Sequence, residues 1–465
     1  MSDIEIFLCK TRFYHFERVL CICILNNRKR GDFLHFFDAL RLVLFVMLLG
    51  GGVFFIFYLK GFFILHPIKT LKECFRKKSE KGISPFRALS ASLSGTLGVG
   101  NIVGVAVALI IGGSGAVFWI WVSAVISMIL KYCEIVLGVK YRIKDENGFH
   151  GGPMYYMEKG ISGRTGKICA VLFSSAGVVS SFALGNIVQI SAASDAAKYI
   201  FGVPEIVFGI SSAVIMAFVI FGGFDRISRV TSIVLPAMGG LYFVLSLAII
   251  IKNAGILPSV FSSVFGNAFK IEASCGGIMG FLLSKNVSEG IAKGAFSHES
   301  GSGTAPMAHS GAETDLPARQ GLLGLIEVTI DTLVICTLSA FVVLIAWEKG
   351  IFENNGMALV LSAFESGIGS FSKYAVGLAI LLFVYSTVIC WAYYGKSCLG
   401  YLTSSKKAAT AYVIIYLFFI VFGAVFSQKT VWFAADAGVA VMTMLNLPSL
   451  IIMRKEIKRE TETIF

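Results

Sequence analysis

At 465 residues, 56% hydrophobic, only 15% charged and with a mean hydropathy of +0.79, the chain falls outside the soluble globular class, where roughly a quarter of residues carry charge. Apolar stretches of about 20 residues recur along it, the length a helix needs to cross a bilayer, and strands of alternating polarity are absent, which excludes a barrel. The net charge of +12 invites a nucleic-acid reading, but the Lys and Arg residues gather between the apolar stretches, where they set topology.

In chain order, residues 1–31 come first as an N-terminal extension. Lys10, Arg12, Arg18, Arg28, Lys29 and Arg30 crowd it, and its apolar patch at 19–25 is too short to span. It lacks the basic start, apolar core and small-residue site of a cleaved signal, and is read as dispensable. Residues 32–87 hold a first span near 42–66 and a basic loop, where Lys69, Lys72, Arg76, Lys77, Lys78, Lys81 and Arg87 outnumber Glu73 and Glu80 and so face the cytoplasm. A first set of five spans follows in 88–251, near 88–112, 116–139, 168–199, 205–223 and 231–251. After an extracytoplasmic loop at 252–277, a second set fills 278–453, near 278–308, 321–346, 372–400, 408–426 and 430–453. The basic tail, 454–465, is cytoplasmic, as are the loops carrying Lys140, Arg142, Lys144, Arg226, Arg229, Lys406 and Lys407. These segments describe an all-α polytopic membrane protein of about eleven transmembrane helices, N-terminus outside and C-terminus inside. Most of the ten cysteines sit singly in apolar spans as small fillers, not in a CxxC framework.

Each set of five opens with an interrupted helix, SGTLGVGNIVGVAVALIIGG at 94–113 and FLLSKNVSEGIAKGAFSHESGSGTAP at 281–306. Unpaired backbone groups in hydrocarbon cost several kcal/mol each, so a broken span must point them at something polar. Two consecutive five-span units insert with opposite orientation, and an inverted repeat whose broken helices meet at a site is the plan of many secondary transporters. A bundle with two glycine-rich kinks and no repeat is the alternative.

From about residue 32 onward the chain resembles the alanine or glycine:cation symporter family, sodium-coupled amino-acid transporters of bacteria. The matching segments are SGTLGVGNIVGVA at 94–106, GGSGAVFWIWV at 112–122, GFHGGPMYYMEKG at 148–160, GNIVQ at 185–189, KGAFSHESGSGTAPMAH at 293–309, RQGLLGLIEVTIDTLVICTLSA at 319–340 and YSTVICWAYYGKSCLGYL at 385–402. The chain departs at Lys293, His298 and Ser300, where the family usually has Arg, Asn and Ala. The resemblance implies symport of a small neutral amino acid, alanine or glycine in L or D form, with sodium across the bacterial cytoplasmic (inner) membrane by alternating access. A proton in place of sodium is the alternative. It also implies no enzymatic activity, no cofactor besides the coupling ion, no nucleic-acid partner, and a monomer in membrane lipid.

An amino-acid zwitterion presents a carboxylate and an ammonium group, and broken helices supply complements to both. Where the first helix resumes after Gly100, N–H groups and the positive dipole end over 101–104 suit a carboxylate, and Gly98 and Gly100 allow close backbone approach. Small residues that merely pack helices are the competing reading. In the second break, carbonyls ending a half-helix at 291–295 suit an ammonium or a cation, with Phe296 and Ser297 at the turn. The resemblance implies Asn101 and Gln189 as substrate contacts, Phe296 as a wall of a small side-chain pocket and Ser297 as a hydroxyl for substrate or ion; Thr96 joins both sets. A lone Gln189 is otherwise an interhelical hydrogen bond.

Sodium favours several hard oxygens. Resemblance to the wider five-plus-five transporter fold sets Ser386 and Thr387 against the first broken helix, where carbonyls near Ser94 and Leu97 complete a cation site; back-bonding within their own helix is the alternative. Asp331 lies about ten positions into an apolar span, where an acid costs roughly 2.5–3.5 kcal/mol on insertion scales. It either completes a second cation site with Thr96, Asn101, Ser297 and Thr332 or pairs with Lys285 or Lys293. Glu299 and Asp436 read as gate or helix-end contacts.

Rival classes have weaker support. Gly112, Ser114 and Gly115 match the GxSG of intramembrane proteases, but Ser114 lies in a turn between spans. His298-Glu299 is followed by Ser302 where a zinc peptidase needs its second His, and Gly395-Lys396-Ser397 lacks the first P-loop glycine, Cys390 standing there. A passive channel is separated from a carrier by saturable, sodium-dependent turnover.

Overall fold

A computed structural model describes residues 27–74, 82–145, 148–270, 285–426 and 431–465. The chain divides into two compact units, Met1–Phe45 and Val46–Phe465, and the architecture below is that of the second. Of the expected extension 1–31, residues 1–26 lie outside the described residues, and Asn27 opens the helix Asn27–Tyr58. The end of the 252–277 loop and the start of the 278–308 span lie outside them too.

Among the described residues, seven helices are long and apolar enough to cross a membrane: Ala116–Lys140, Arg164–Phe201, Gly223–Lys252, Pro317–Glu348, Ser372–Leu402, Lys406–Val425 and Ala434–Ile452. The pair Pro85–Thr96 and Gly100–Gly112, bent by 53° at a break, is together long and apolar enough to count as an eighth if it forms one span. The spans expected near 42–66 and 205–223 correspond to the shorter apolar helices Val43–Tyr58 and Glu205–Ile220. The protein is therefore a multi-pass, almost wholly helical membrane protein. Among the described residues one sheet occurs, a hairpin of Ile143–Asp145 with Gly148–His150, antiparallel with Ile143 opposite His150.

Short helices stand where the sequence suggested only loops, two of them of a dozen residues or so. Leu257–Ala268 has 12 residues, and Gly356–Ile368 has 13, both too short to span and so passed over by a search for spans. The second is locally encoded: Asn355 caps it by accepting from the N–H groups of Met357 (2.9 Å) and Ala358 (3.1 Å), and Gly369 ends it at φ 96°.

Close helix packing follows from small residues, as expected where lipid supplies no hydrophobic drive between helices. Lys285–His298 lies against Ala116–Lys140; a Cβ on Gly290 would meet Ala116 O at 2.5 Å, and one on Gly294 would meet Ser123 Cβ at 2.9 Å. Pro317–Val328 lies on the same helix, with Gly321 against Tyr132 and Gly324 against Lys131. The two halves of the first broken helix take different neighbours. Pro85–Thr96 packs on Gly223–Lys252 and Ser372–Leu402, and Val105–Gly112 packs on Lys285–His298.

Among the described residues, three wide π turns interrupt the α geometry, at Gly100–Gly104, Ala183–Val188 and Thr329–Cys336. Such turns release backbone groups and re-aim side chains, and they recur at functional sites. Asn101 lies on the first, Gln189 directly after the second, and Asp331 and Thr332 on the third.

Candidate functional site

The first half-helix starts at Pro85, where Ser84 accepts from the Arg87 N–H at 3.2 Å. It ends at Thr96, and Leu97 leaves helical geometry with ψ 84°. Side chains from distant helices meet the backbone groups released there. Gly98 N–H donates to Asn101 Oδ1 at 3.1 Å and Val99 N–H to Gln189 Oε1 at 3.1 Å. The carbonyls of Ser94 and Leu97 lie 3.1 and 3.0 Å from Thr387 Oγ1, whose single proton goes to one acceptor at a time. The N–H groups seen to meet side chains are thus those of Gly98 and Val99, just ahead of the expected 101–104; Asn101 N–H itself reaches Gly98 O at 3.3 Å.

Both glycines of the break are places of close approach. A Cβ on Gly98 would lie 2.7 Å from Gln189 Oε1 and 3.0 Å from Thr387 Oγ1, and one on Gly100 would lie 2.6 Å from the Phe296 ring. Close approach therefore explains them, and at Gly100 the contact is with Phe296 of Lys285–His298.

Asp331 is fully buried and its carboxylate is met by three polar side chains. Asn101 Nδ2 donates to Oδ1 at 2.6 Å, Ser297 Oγ to Oδ2 at 2.8 Å and Thr332 Oγ1 to Oδ2 at 2.7 Å. Asn101 Nδ2 also lies 2.6 Å from Ser297 Oγ, and its carbonyl accepts from Ser339 Oγ at 2.8 Å. Neither lysine pairs with the acid; Lys293 Nζ instead lies 5.8 Å from the Phe296 ring centre. Thr96 does not join the group, because its hydroxyl bonds back to Leu93 O at 3.1 Å. That is the usual local alternative for a threonine in a helix.

In the second break the structure corrects the expected position of the turn. The half-helix runs through Phe296 and Ser297 to His298, and the chain turns at Glu299, φ 49°, then at Gly301 and Gly303, φ 90° and 81°. A left-handed φ is uncommon outside glycine. Here it is held by Glu299 N–H on Ala295 O (3.0 Å), by Ser302 Oγ on Glu299 O (2.6 Å) and by Thr304 Oγ1 on Glu299 Oε2 (2.7 Å). The helix resumes over Ala305–His309. Ser297 and Phe296 thus face the first broken helix from the last turn of a half-helix.

Ser386 and Thr387 are both buried and both bond back to Phe383 O, at 2.9 and 3.0 Å. Thr387 also reaches the two carbonyls of the first break, whereas Ser386 Oγ stands 3.5 Å from Ser94 O. With one proton to donate, the Thr387 hydroxyl lies within reach of Phe383 O and of both carbonyls of the break, and it stands nearer the break than that of Ser386.

A second buried polar cluster was not singled out from the sequence. Lys131 Nζ pairs with Glu327 Oε1 at 3.1 Å, and Glu327 Oε2 lies 3.1 Å from His309 Nε2, whose Nδ1 lies 2.8 Å from Gln320 Nε2. On the same helix as Lys131, Glu134 Oε1 accepts from Asn446 Nδ2 at 2.7 Å and from Gly303 N–H at 3.2 Å. Asn446 also donates to Gly301 O at 3.0 Å and accepts from Tyr156 OH. His298 is held by Ser123 Oγ (3.2 Å) and Ser300 N–H (3.0 Å). Lys131, Glu134, Glu327 and His309 have no exposed surface. The signal was present: Lys131 and Glu134 interrupt an apolar span, and Glu327 lies four residues before Asp331.

Broken helices whose freed backbone is held by side chains from other spans, beside a buried carboxylate, are the features of a membrane carrier. The profile of the sodium:alanine symporter family matches residues 33–464, and the chain belongs to that family. It is 37% identical over 427 residues to the sodium/alanine symporter AgcS of Methanococcus maripaludis, covering 90% of this chain and 93% of that one. It is 36% identical over 418 residues to the probable sodium/glutamine symporter GlnT of Bacillus subtilis, covering 89% and 86%. A solved Na+-coupled sialic acid symporter superposes with a TM-score of 0.58 at 13% identity, over 90% of this chain and 87% of that one, which shows a shared fold. The protein is a transporter, not an enzyme.

Proposed function

We propose that the chain carries a small neutral amino acid, alanine or glycine, into the cell together with sodium by alternating access. The observation that carries this reading is the meeting of the two breaks: Asn101 from the first, Ser297 from the last turn before the second, and Asp331 from a third helix within hydrogen-bond reach of one another. In this reading the substrate lies between Gly98, Gly100, Asn101, Gln189, Phe296 and Ser297. Its carboxylate takes N–H groups of the first break, displacing Gln189 or Asn101 from them, and Phe296 limits the side chain it brings.

Two oxygen-rich places suit the coupling ion, which prefers hard ligands. One is made by the carbonyls of Ser94 and Leu97 with Thr387 and, at longer range, Ser386. The other is made by Asp331, Thr332, Ser297 and Asn101, where a cation would offset the buried charge. One sodium ion crossing about 100 mV gains about 2.3 kcal/mol and a tenfold gradient adds about 1.4, enough together for several-hundred-fold accumulation. The eleven-span plan with two inverted sets of five, the outside N-terminus, the cytoplasmic C-terminus and the monomer are parts of the same proposal, supported by the paired breaks and the charge pattern.

Competition against labelled alanine tests the specificity. Glycine and either hand of alanine should compete at similar concentration, leucine and glutamine poorly. Better competition by glutamine would refute the small pocket at Phe296 and align the chain with the glutamine carriers.

A further inference from the structure

Well away from the two breaks, a cavity of about 430 Å³ opens between the end of the first span and the C-terminal helix Arg454–Thr461. That volume is within the range of about 300–1,000 Å³ usual for small-ligand sites. Lys60, His66, Lys69 and Lys458 line it with one acid, Glu462, and its apolar floor includes Phe62 and Phe465.

The cavity is built rather than incidental. The first span stops at Lys60 and Gly61, both left-handed at φ 56° and 54°, which turns the chain into Phe62–Leu65 and then Pro67–Cys74. The C-terminal helix is fixed from its other side. Lys140 pairs with Glu456 and Glu460 at 3.0 and 3.2 Å, and Tyr132 OH donates to Thr461 Oγ1 at 2.8 Å. Phe62 packs between Phe465 and Tyr132, with ring centres 4.6 and 5.0 Å away. Two of the lysines are positioned by aromatic faces: Lys69 Nζ lies 5.0 Å over Phe465 and Lys458 Nζ 5.8 Å over Tyr58. Such cation–π contacts orient an ammonium without neutralising it; Lys458 also lies 3.8 Å from Glu462 Oε1, an exposed pair that leaves its ammonium within reach of a second anion.

The surroundings say which anion fits. Phe57, Ile64, Leu65, Ile68 and Leu71 are all more than half exposed, so the rim that continues the span is an apolar surface. In Pro67–Cys74, Ile68 and Leu71 alternate with Lys69 and Lys72 in the manner of a helix lying in the membrane interface. A soluble phosphate would find the lysines but have no use for that rim, whereas a phospholipid uses both. Basic pockets beside spans are known seats for acidic headgroups, each lysine near the surface contributing electrostatic attraction.

We propose that this cavity binds an anionic phospholipid, its phosphate held by Lys60, Lys69 and Lys458 and its acyl chains laid over Ile64, Leu65 and Ile68. Bound there, the lipid tacks the C-terminal helix to the first span.

Native mass spectrometry of the detergent-purified full chain, titrated with phosphatidylglycerol and with phosphatidylcholine, tests it. The expected result is about tenfold higher occupancy by phosphatidylglycerol, lost in the triple variant Lys60→Gln, Lys69→Gln, Lys458→Gln and kept in Lys406→Gln, Lys407→Gln, which removes charge from another basic loop. Photoactivatable phosphatidylglycerol should label peptides 58–69 and 454–465 of the unaltered protein, a readout that decides the matter even if the triple variant does not fold. Equal occupancy by the two lipids, label elsewhere, or retention by the triple variant overturns the proposal. Displacement of phosphatidylglycerol by millimolar inorganic phosphate overturns it too, in favour of a free-anion site.

Discussion

Asn101 donates to the carboxylate of Asp331 across 230 residues of sequence, at 2.6 Å and with both side chains fully buried. The bond ties the π turn of the first broken helix to the π turn of the helix after the second break, so anything that changes the charge on Asp331 is felt at the first break. Asn101→Ala removes one donor from a buried carboxylate, and hydrogen bonds to charged groups contribute about 1.5–3 kcal/mol each. Apparent affinity for substrate should fall by at least tenfold with expression near normal, measured by uptake in reconstituted vesicles.

Asp331→Asn keeps the volume and removes the charge. If the acid serves a cation, the variant should assemble, bind amino acid, and show uptake that scarcely responds to a sodium gradient. Unaltered sodium stimulation would leave Asp331 a structural residue.

The hydroxyl pair should separate by position. Thr387 Oγ1 lies 3.1 and 3.0 Å from two carbonyls of the break, while Ser386 Oγ lies 3.5 Å from one of them. Thr387→Val is expected to raise the sodium concentration for half-maximal uptake several-fold more than Ser386→Ala. Equal effects, or the reverse order, would contradict the geometry.

Gly100→Ala drives a methyl group to 2.6 Å from the Phe296 ring, closer than side-chain carbons approach. Uptake should drop steeply, and Phe296→Leu should restore part of it by giving room. No rescue by the second substitution would mean the methyl group is resisted by something other than Phe296.

The Lys131–Glu327 pair offers a stability test. Removing one partner of a buried ion pair costs about 3–5 kcal/mol, whereas replacing both with neutral groups is often tolerated. Lys131→Met should lower the melting temperature markedly in detergent, and Lys131→Met with Glu327→Gln should recover much of the loss. Additive losses would show that the two groups do not act on each other.

How much of this was legible in the sequence depended on what kind of information each feature carries. Spans and breaks are local: a run of apolar residues or of glycines declares itself, and Gly98 and Asp331 stood out for that reason, whereas the roles of Asn101 and Thr387 came from the family and fold resemblance. Which atoms those side chains reach is not local. Gln189 could be placed on a span, but its bond to Val99 N–H depends on the π turn at Ala183–Val188, which composition does not mark. The second break was read too early because its glycines and serines begin before the backbone departs from helix; the turn waits for Glu299. Lys131, Glu134 and Glu327 were passed over individually because one charge in a span looks like a helix-end residue until its partner on another helix is seen.

Uptake of labelled alanine into proteoliposomes, with an inward sodium gradient or with potassium replacing sodium on both sides, separates a sodium-coupled carrier from a passive channel. Alanine should accumulate saturably above equilibrium, the accumulation should collapse when sodium is replaced, and the sodium dependence should shift rightward in Thr387→Val. Uptake that is linear in alanine concentration, or equal with and without sodium, would contradict a sodium-coupled carrier.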